Sequence, residues 1–116
     1  MGATDKQGGL VQGTLEMLIL KTLALEPMHA YGIGGRIEQI SKGVFVVNAG
    51  SLFPAFRRLE RGGLIKGEWR ATENNRRAKY YALTAQGRAK LKRQTSDWEA
   101  QAGAIARILK ASTGEA

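Results

Sequence analysis

The amino-acid sequence predicts a mainly α fold with one small β-hairpin. Apolar residues recur at helical spacing in three successive segments before residue 62. Two strand-like runs, 64–72 and 79–84, flank the turn-forming, cationic stretch Glu73-Asn74-Asn75-Arg76-Arg77. A long final helical segment then runs to about Lys110. The predicted order is helix, helix, helix, hairpin, long helix.

Each element has its own signal. Residues 1–9 lack the apolar stretch of a signal peptide and read as a disordered lead. The first helix, Gln12 to Leu25, is apolar on several sides through Leu15, Leu18, Ile19, Leu20 and Leu23, and Pro27 ends it. A helix apolar nearly all round is covered from more than one direction, so Leu15, Leu18 and Ile19 are expected to meet a second copy of the chain. The second helix begins at Ala30 or Tyr31, ends at Ile40 or Ser41, and buries Ile33, Ile37 and Ile40. Within it, Gly32, Gly34 and Gly35 each cost about 1 kcal/mol against alanine. Close approach of a neighbouring backbone, from the first or third helix, is the expected compensation. His29, the single histidine, reads as a cap or a core hydrogen-bonder, and Tyr31 as a packed residue or a phosphate contact. Residues 44–47 are β-branched and aromatic, either a short strand or an extended link.

The third helix occupies the segment 48–61. Leu52, Phe56 and Leu59 form its buried stripe, while Phe53, Pro54, Arg57, Arg58 and Arg61 fall mainly on the outer side. Ser51 is expected to cap it, which sets Pro54 in the first turn, where its missing N–H costs nothing. Gly62-Gly63 supplies the stop. Three helices with a hairpin after the third make a winged helix-turn-helix, in which the third helix can enter a major groove and the tip of the hairpin, or wing, lies against the flanking backbone or minor groove. Residues 10–84 are assigned to this domain, 85–110 to a C-terminal dimerisation helix capped by Thr84, and 111–116 to a frayed tail.

Composition narrows the function. The 116 residues suit one domain, and no run approaches the roughly 18 apolar residues of a membrane span. With no cysteine, disulfides and thiolate chemistry are excluded, and a cytoplasmic location is the simplest. One histidine and no clustered carboxylates leave neither a multi-histidine metal site nor an enzyme's acid–base set, so no cofactor or metal is expected. The formal net charge of +8 favours phosphate-rich partners. From Arg57 to Lys79 eight cations face three anions, so five of the eight surplus charges sit on the third helix and hairpin.

Within that stretch the roles differ. Arg57 and Arg58 suit phosphates or a guanine edge. Asn48, Gly50, Ser51, Phe53 and Pro54 form the helix entry, where Gly50 and Ser51 let backbone N–H groups approach a phosphate. Arg76, Arg77 and Lys79 on the wing add sequence-independent attraction, and Asn75 either contacts DNA or forms the turn by tolerating positive φ. In the last helix Leu91, Thr95, Trp98, Ala102, Ile105 and Leu109 recur in a heptad-like seam. A helix near 40 Å long outruns its own domain. The seam therefore predicts a symmetric homodimer, with Trp98 placed to pack or to stack a small planar effector.

The chain resembles the PadR family of bacterial transcriptional regulators from Leu10 to about Leu91. The resemblance is carried by Gly13-Thr14-Leu15-Glu16-Met17-Leu18-Ile19-Leu20, His29-Ala30-Tyr31-Gly32-Ile33, Asn48-Ala49-Gly50-Ser51-Leu52-Phe53-Pro54-Ala55, Leu59-Glu60, Gly63-Leu64-Ile65, Asn74-Asn75-Arg76-Arg77-Ala78-Lys79-Tyr80-Tyr81 and Leu83-Thr84-Ala85-Gln86-Gly87. It implies a dimeric winged-helix repressor released from its operator by a small molecule or other signal, with DNA contacts from the segment Gly50 to Pro54 and from the wing. Two positions depart from the family. Ala49 stands where glutamate or proline is frequent, and Phe53 where tyrosine is usual, so the phosphate hydrogen bond of a hydroxyl is lost there. The expected function is a sequence-specific DNA-binding regulator on a pseudo-palindromic operator, nucleoid-associated when bound. A non-specific architectural DNA binder and a winged-helix protein-interaction module are the alternatives.

Overall fold

The computed structural model describes residues 12–114, so the expected lead at residues 1–9 lies outside the described residues. The elements are α1 (Gln12–Leu25), β1 (Met28–His29), α2 (Ala30–Ile40), α3 (Ala49–Arg61), β2 (Ile65–Ala71), β3 (Arg77–Leu83) and α4 (Ala85–Lys110). The sequence order is thus as expected, with one addition. A strand of two residues pairs with β3 through Met28↔Tyr81 and His29↔Tyr80, giving a three-stranded antiparallel sheet in the order β1-β3-β2. Two residues carry no alternation pattern of their own, and β1 forms because β3 offers a free edge to the chain entering α2.

The core lies where α1, the inner faces of α2 and α3, and the base of the hairpin meet. Leu15, Ile19, Leu20, Leu23, Ile33, Leu52, Phe56, Leu59 and Ile65 are buried there. Leu15 and Ile19 retain only 4% and 0% of their surface, which corrects the expectation that they meet a second copy. α1 is apolar on several sides because α2, α3, β3 and α4 of its own chain all pack around it. Thr22, buried on the same helix, satisfies its hydroxyl by donating to the Leu18 carbonyl at 2.8 Å.

Gly34 is closely approached, but not by a helix backbone: a Cβ there would sit 2.8 Å from the Leu52 side chain of α3 and 3.3 Å from the Val47 carbonyl in the preceding link. Gly35 is not, as nothing lies within 4 Å of its Cβ position. Between α2 and α3 the backbone turns through positive φ at Lys42 and Gly43, and residues 45–48 run on as an extended link with no ladder partner. Phe45 and Val47 pack on the core while Val44 and Val46 face outward. At the other end of the hairpin, the Thr84 hydroxyl accepts from the Gly87 N–H at 3.0 Å and donates to the Gly63 carbonyl at 2.7 Å. One side chain thereby caps α4 and ties it to the end of α3.

Candidate nucleic-acid interface

The entry of α3 is built around Asn48. Its side-chain oxygen accepts from the Ser51 N–H at 2.9 Å, making Asn48 the N-cap and Ala49 the first helical residue. This corrects the assignment of the cap to Ser51. Pro54 is consequently the sixth helical residue, not a first-turn residue, and its missing N–H removes the bond to the Gly50 carbonyl. Asn48 and Gly50 are exposed at this open helix end, beside the half-buried Ser51 and Pro54.

Phe53 does not face outward. It packs against the core, with its ring edge-on to Phe56 at 5.5 Å and to Tyr31 at 5.9 Å. Tyr31, read as a packed residue or a phosphate contact, keeps 77% of its surface, so it is not packed away, and its ring meets Phe53 edge-on. His29 occupies the N-cap position of α2 without capping it, its ring stands edge-on to Tyr80, and its buried Nδ1 has no partner among the described residues.

The arginines of α3 separate by partner. Arg57 is exposed and forms no ion pair among the described residues. Arg58 reaches back instead to α1, where its Nε donates to Glu16 Oε2 at 2.6 Å. That contact removes Arg58 from the outward row expected for it and makes it a strut between α1 and α3. The next turn carries exposed Arg61.

The wing pairs in full register from Ile65↔Leu83 to Ala71↔Arg77. Alternation places Gly67, Trp69 and Ala71 across from Tyr81, Lys79 and Arg77 on the face turned to α3. Arg77 lies over the Trp69 ring at 5.6 Å, and Arg76 is exposed at the tip. Asn75 takes φ of +60°, so its turn role is filled, and it is exposed as well. Lys79 departs from the expected row of free cations, since its Nζ donates to Glu60 Oε1 of α3 at 3.0 Å and lies 5.4 Å from the Tyr81 ring centre. The Glu60 hydrogen bond raises the Lys79 pKa above its ordinary value, and burial raises that of the Tyr81 hydroxyl. Between this face and α3 lies a cleft of about 350 Å³ bordered by Tyr31, Phe53, Arg57, Glu60, Trp69 and Arg77.

Sequence reasoning overlooked Glu16, Glu60 and Trp69. The first two join residues 42 and 19 positions apart, which no local spacing reveals. Trp69 was readable as an aromatic alternating onto the same face as the cations.

A second concavity, of about 690 Å³, runs between α1 and α4 and is lined by Met17, Leu18, Lys21, Leu91, Thr95 and Trp98. Leu18 and Leu91 are half-buried, Thr95 is exposed, and Trp98 keeps 49% of its surface. Farther along α4, Ala102 is half-buried, whereas Ile105, Ile108 and Leu109 are 55%, 71% and 79% exposed. Among the described residues no helix is long and apolar enough to cross a membrane.

Comparison with known proteins agrees with this geometry. The sequence profile of the transcriptional regulator PadR-like family matches residues 19–93. A transcriptional regulator from Clostridium thermocellum superposes with a TM-score of 0.77 at 28% identity, over 85% of this chain and 93% of that one. A PadR family transcriptional regulator from Eggerthella lenta gives 0.75 at 29% identity, over 87% and 86%. An uncharacterized 37.1 kDa protein in transposon TN4556 of Streptomyces fradiae is 34% identical over 90 residues, covering 78% of this chain and 24% of that protein.

Proposed function

Because the chain belongs to the PadR-like family of transcriptional regulators, which bind DNA and are not enzymes, we propose that it is a sequence-specific repressor acting as a homodimer on a pseudo-palindromic operator. The observation that carries this reading is the shared exposure of the α3 entry, Arg57 and the wing arginines Arg76 and Arg77. The N-terminal half of α3 would lie in the major groove. There Arg57 has the reach for a guanine edge, and Asn48, Gly50, Ser51 and Pro54 border the phosphates. Asn75, Arg76 and Arg77 would follow the neighbouring backbone. Arg58 and Lys79, held by carboxylates, and Phe53, packed inward, drop out of direct contact.

Dimerisation is supported by α4. Its 26 residues span about 39 Å, and among the described residues its last turns leave Ile105, Ile108 and Leu109 largely exposed. A second copy covering them, with the α1–α4 groove closed over Leu18, Leu91, Thr95, Trp98 and Ala102, would set the two α3 helices about 34 Å apart or a multiple of it. Trp98 on the groove wall would stack a small planar effector that releases the operator. The working location of such a repressor is the bacterial cytoplasm, at the nucleoid when bound. Gel shifts with fragments selected from the source genome test the reading, and a specific shift released by a planar compound is the expected result. Equal affinity for every duplex would leave the non-specific architectural binder in its place.

A further inference from the structure

Lys79 and Glu60 sit at the junction of wing and reading helix, and their arrangement is unusual for a surface meant to meet phosphate. Glu60 is an anion on the wing-facing side of α3, between the exposed cations Arg57 and Arg61. Lys79, across from Trp69 in the hairpin, sends its stem over β2 and its ammonium to Glu60 Oε1 at 3.0 Å. The stem has room because residue 67 is glycine, since a Cβ there would collide with Lys79 Cε and stand 3.0 Å from the Tyr81 ring and 3.2 Å from Glu60 Oε2. The ammonium lies 5.4 Å from the Tyr81 ring centre, so ring, carboxylate and bare backbone all fix one position for the lysine head.

From this geometry we infer that Lys79, Glu60 and Gly67 form a brace that sets the angle of the wing to α3, and that Lys79 is a positioning residue for DNA binding rather than a phosphate contact. The brace rests on the DNA-binding reading for its purpose. An ammonium already neutralised by a carboxylate releases no counterion when DNA arrives, whereas Arg77, which forms no ion pair among the described residues, does. The glycine ties the three residues together, because any side chain at position 67 displaces the lysine.

The test compares the full-length protein with Lys79→Met, Glu60→Gln, the double variant Lys79→Met/Glu60→Gln, and Arg77→Met. The double variant keeps the net charge, so a change in its salt dependence reports on contacts alone. Binding to a random-sequence duplex of roughly 30 base pairs, about three helical turns, is followed by anisotropy across a salt series. Arg77→Met is expected to lower the slope of log K against log salt by about 0.9 per protomer. The double variant is expected to keep the parent slope while binding several-fold more weakly. A slope that falls in the double variant as it does in Arg77→Met overturns the assignment and makes Lys79 a phosphate contact.

Hydrogen exchange of the β2 and β3 amides, in the absence of DNA, judges the brace by itself. Both single variants are expected to speed exchange by the same factor, with the double variant no faster than either. Unchanged exchange in Lys79→Met contradicts the brace. Absence of binding by the parent protein at low salt contradicts the DNA reading instead, and exchange still decides whether the brace exists.

Discussion

Arg57 and Arg58 are neighbours in sequence and opposites in role. Arg57 projects free, so Arg57→Ala should weaken operator binding by about 1–3 kcal/mol, the range of one bidentate base contact, with the unfolding midpoint unchanged. Arg58 is bound to Glu16, so Arg58→Ala should cost about 1 kcal/mol of stability in a denaturant titration, as a partly exposed pair does. The cap offers a parallel contrast. Asn48→Ala should destabilise by about 1 kcal/mol, whereas Ser51→Ala, which removes no capping group, should leave stability nearly unchanged. These distinctions were only partly readable from sequence. The apolar spacing of Leu52, Phe56 and Leu59 fixes which side of α3 is buried. It does not say that Phe53 lies near enough to the boundary to be drawn in by Phe56 and Tyr31. Asn48 and Ser51 are both good caps by residue type, and the choice between them depends on where the extended link from Phe45 releases the chain.

At the scale of elements, periodicity and punctuation were sufficient for four helices and a hairpin. α1 and α4 carry the bounds expected from Pro27 and Thr84, and β2 and β3 differ from expectation only at their ends. What stayed hidden was tertiary. β1 exists through its pairing with β3, and the apolar excess of α1 is absorbed by four neighbouring elements of its own chain. The junction of α3 and wing adds a pH prediction. Lys79 and Tyr81 both have folded pKa values raised above their ordinary ones, the first chiefly by the Glu60 hydrogen bond and the second chiefly by burial. Between the unfolded and folded pKa the native state holds more protons, so stability falls as pH rises through that window. Their stabilisation is fully present at neutral pH and is lost above about pH 10. A thermal midpoint steady from pH 7 to 9 and declining above 10 is the expected profile, and Lys79→Met should flatten part of the decline.

At the scale of the whole molecule, two surfaces lie on different parts of the chain. α3 and the wing present the exposed cations Arg57, Arg61, Arg76 and Arg77, while the α1–α4 groove and the exposed end of α4 form an apolar surface. The second surface makes its own prediction. Ile105→Glu/Leu109→Glu should shift sedimentation at micromolar concentration from dimer mass to monomer mass, since charges there cannot be buried against a second copy. If the parent protein itself sediments as a monomer, the dimer is refuted. DNA reading is the central claim, and equilibrium anisotropy of the full chain tests it most directly, comparing a fragment selected from the source genome with a scrambled duplex of equal length at 150 mM salt. The account predicts that the selected fragment binds at least about 10³-fold more tightly, the lower end for sequence-specific regulators. Equal affinity for the two duplexes would contradict it.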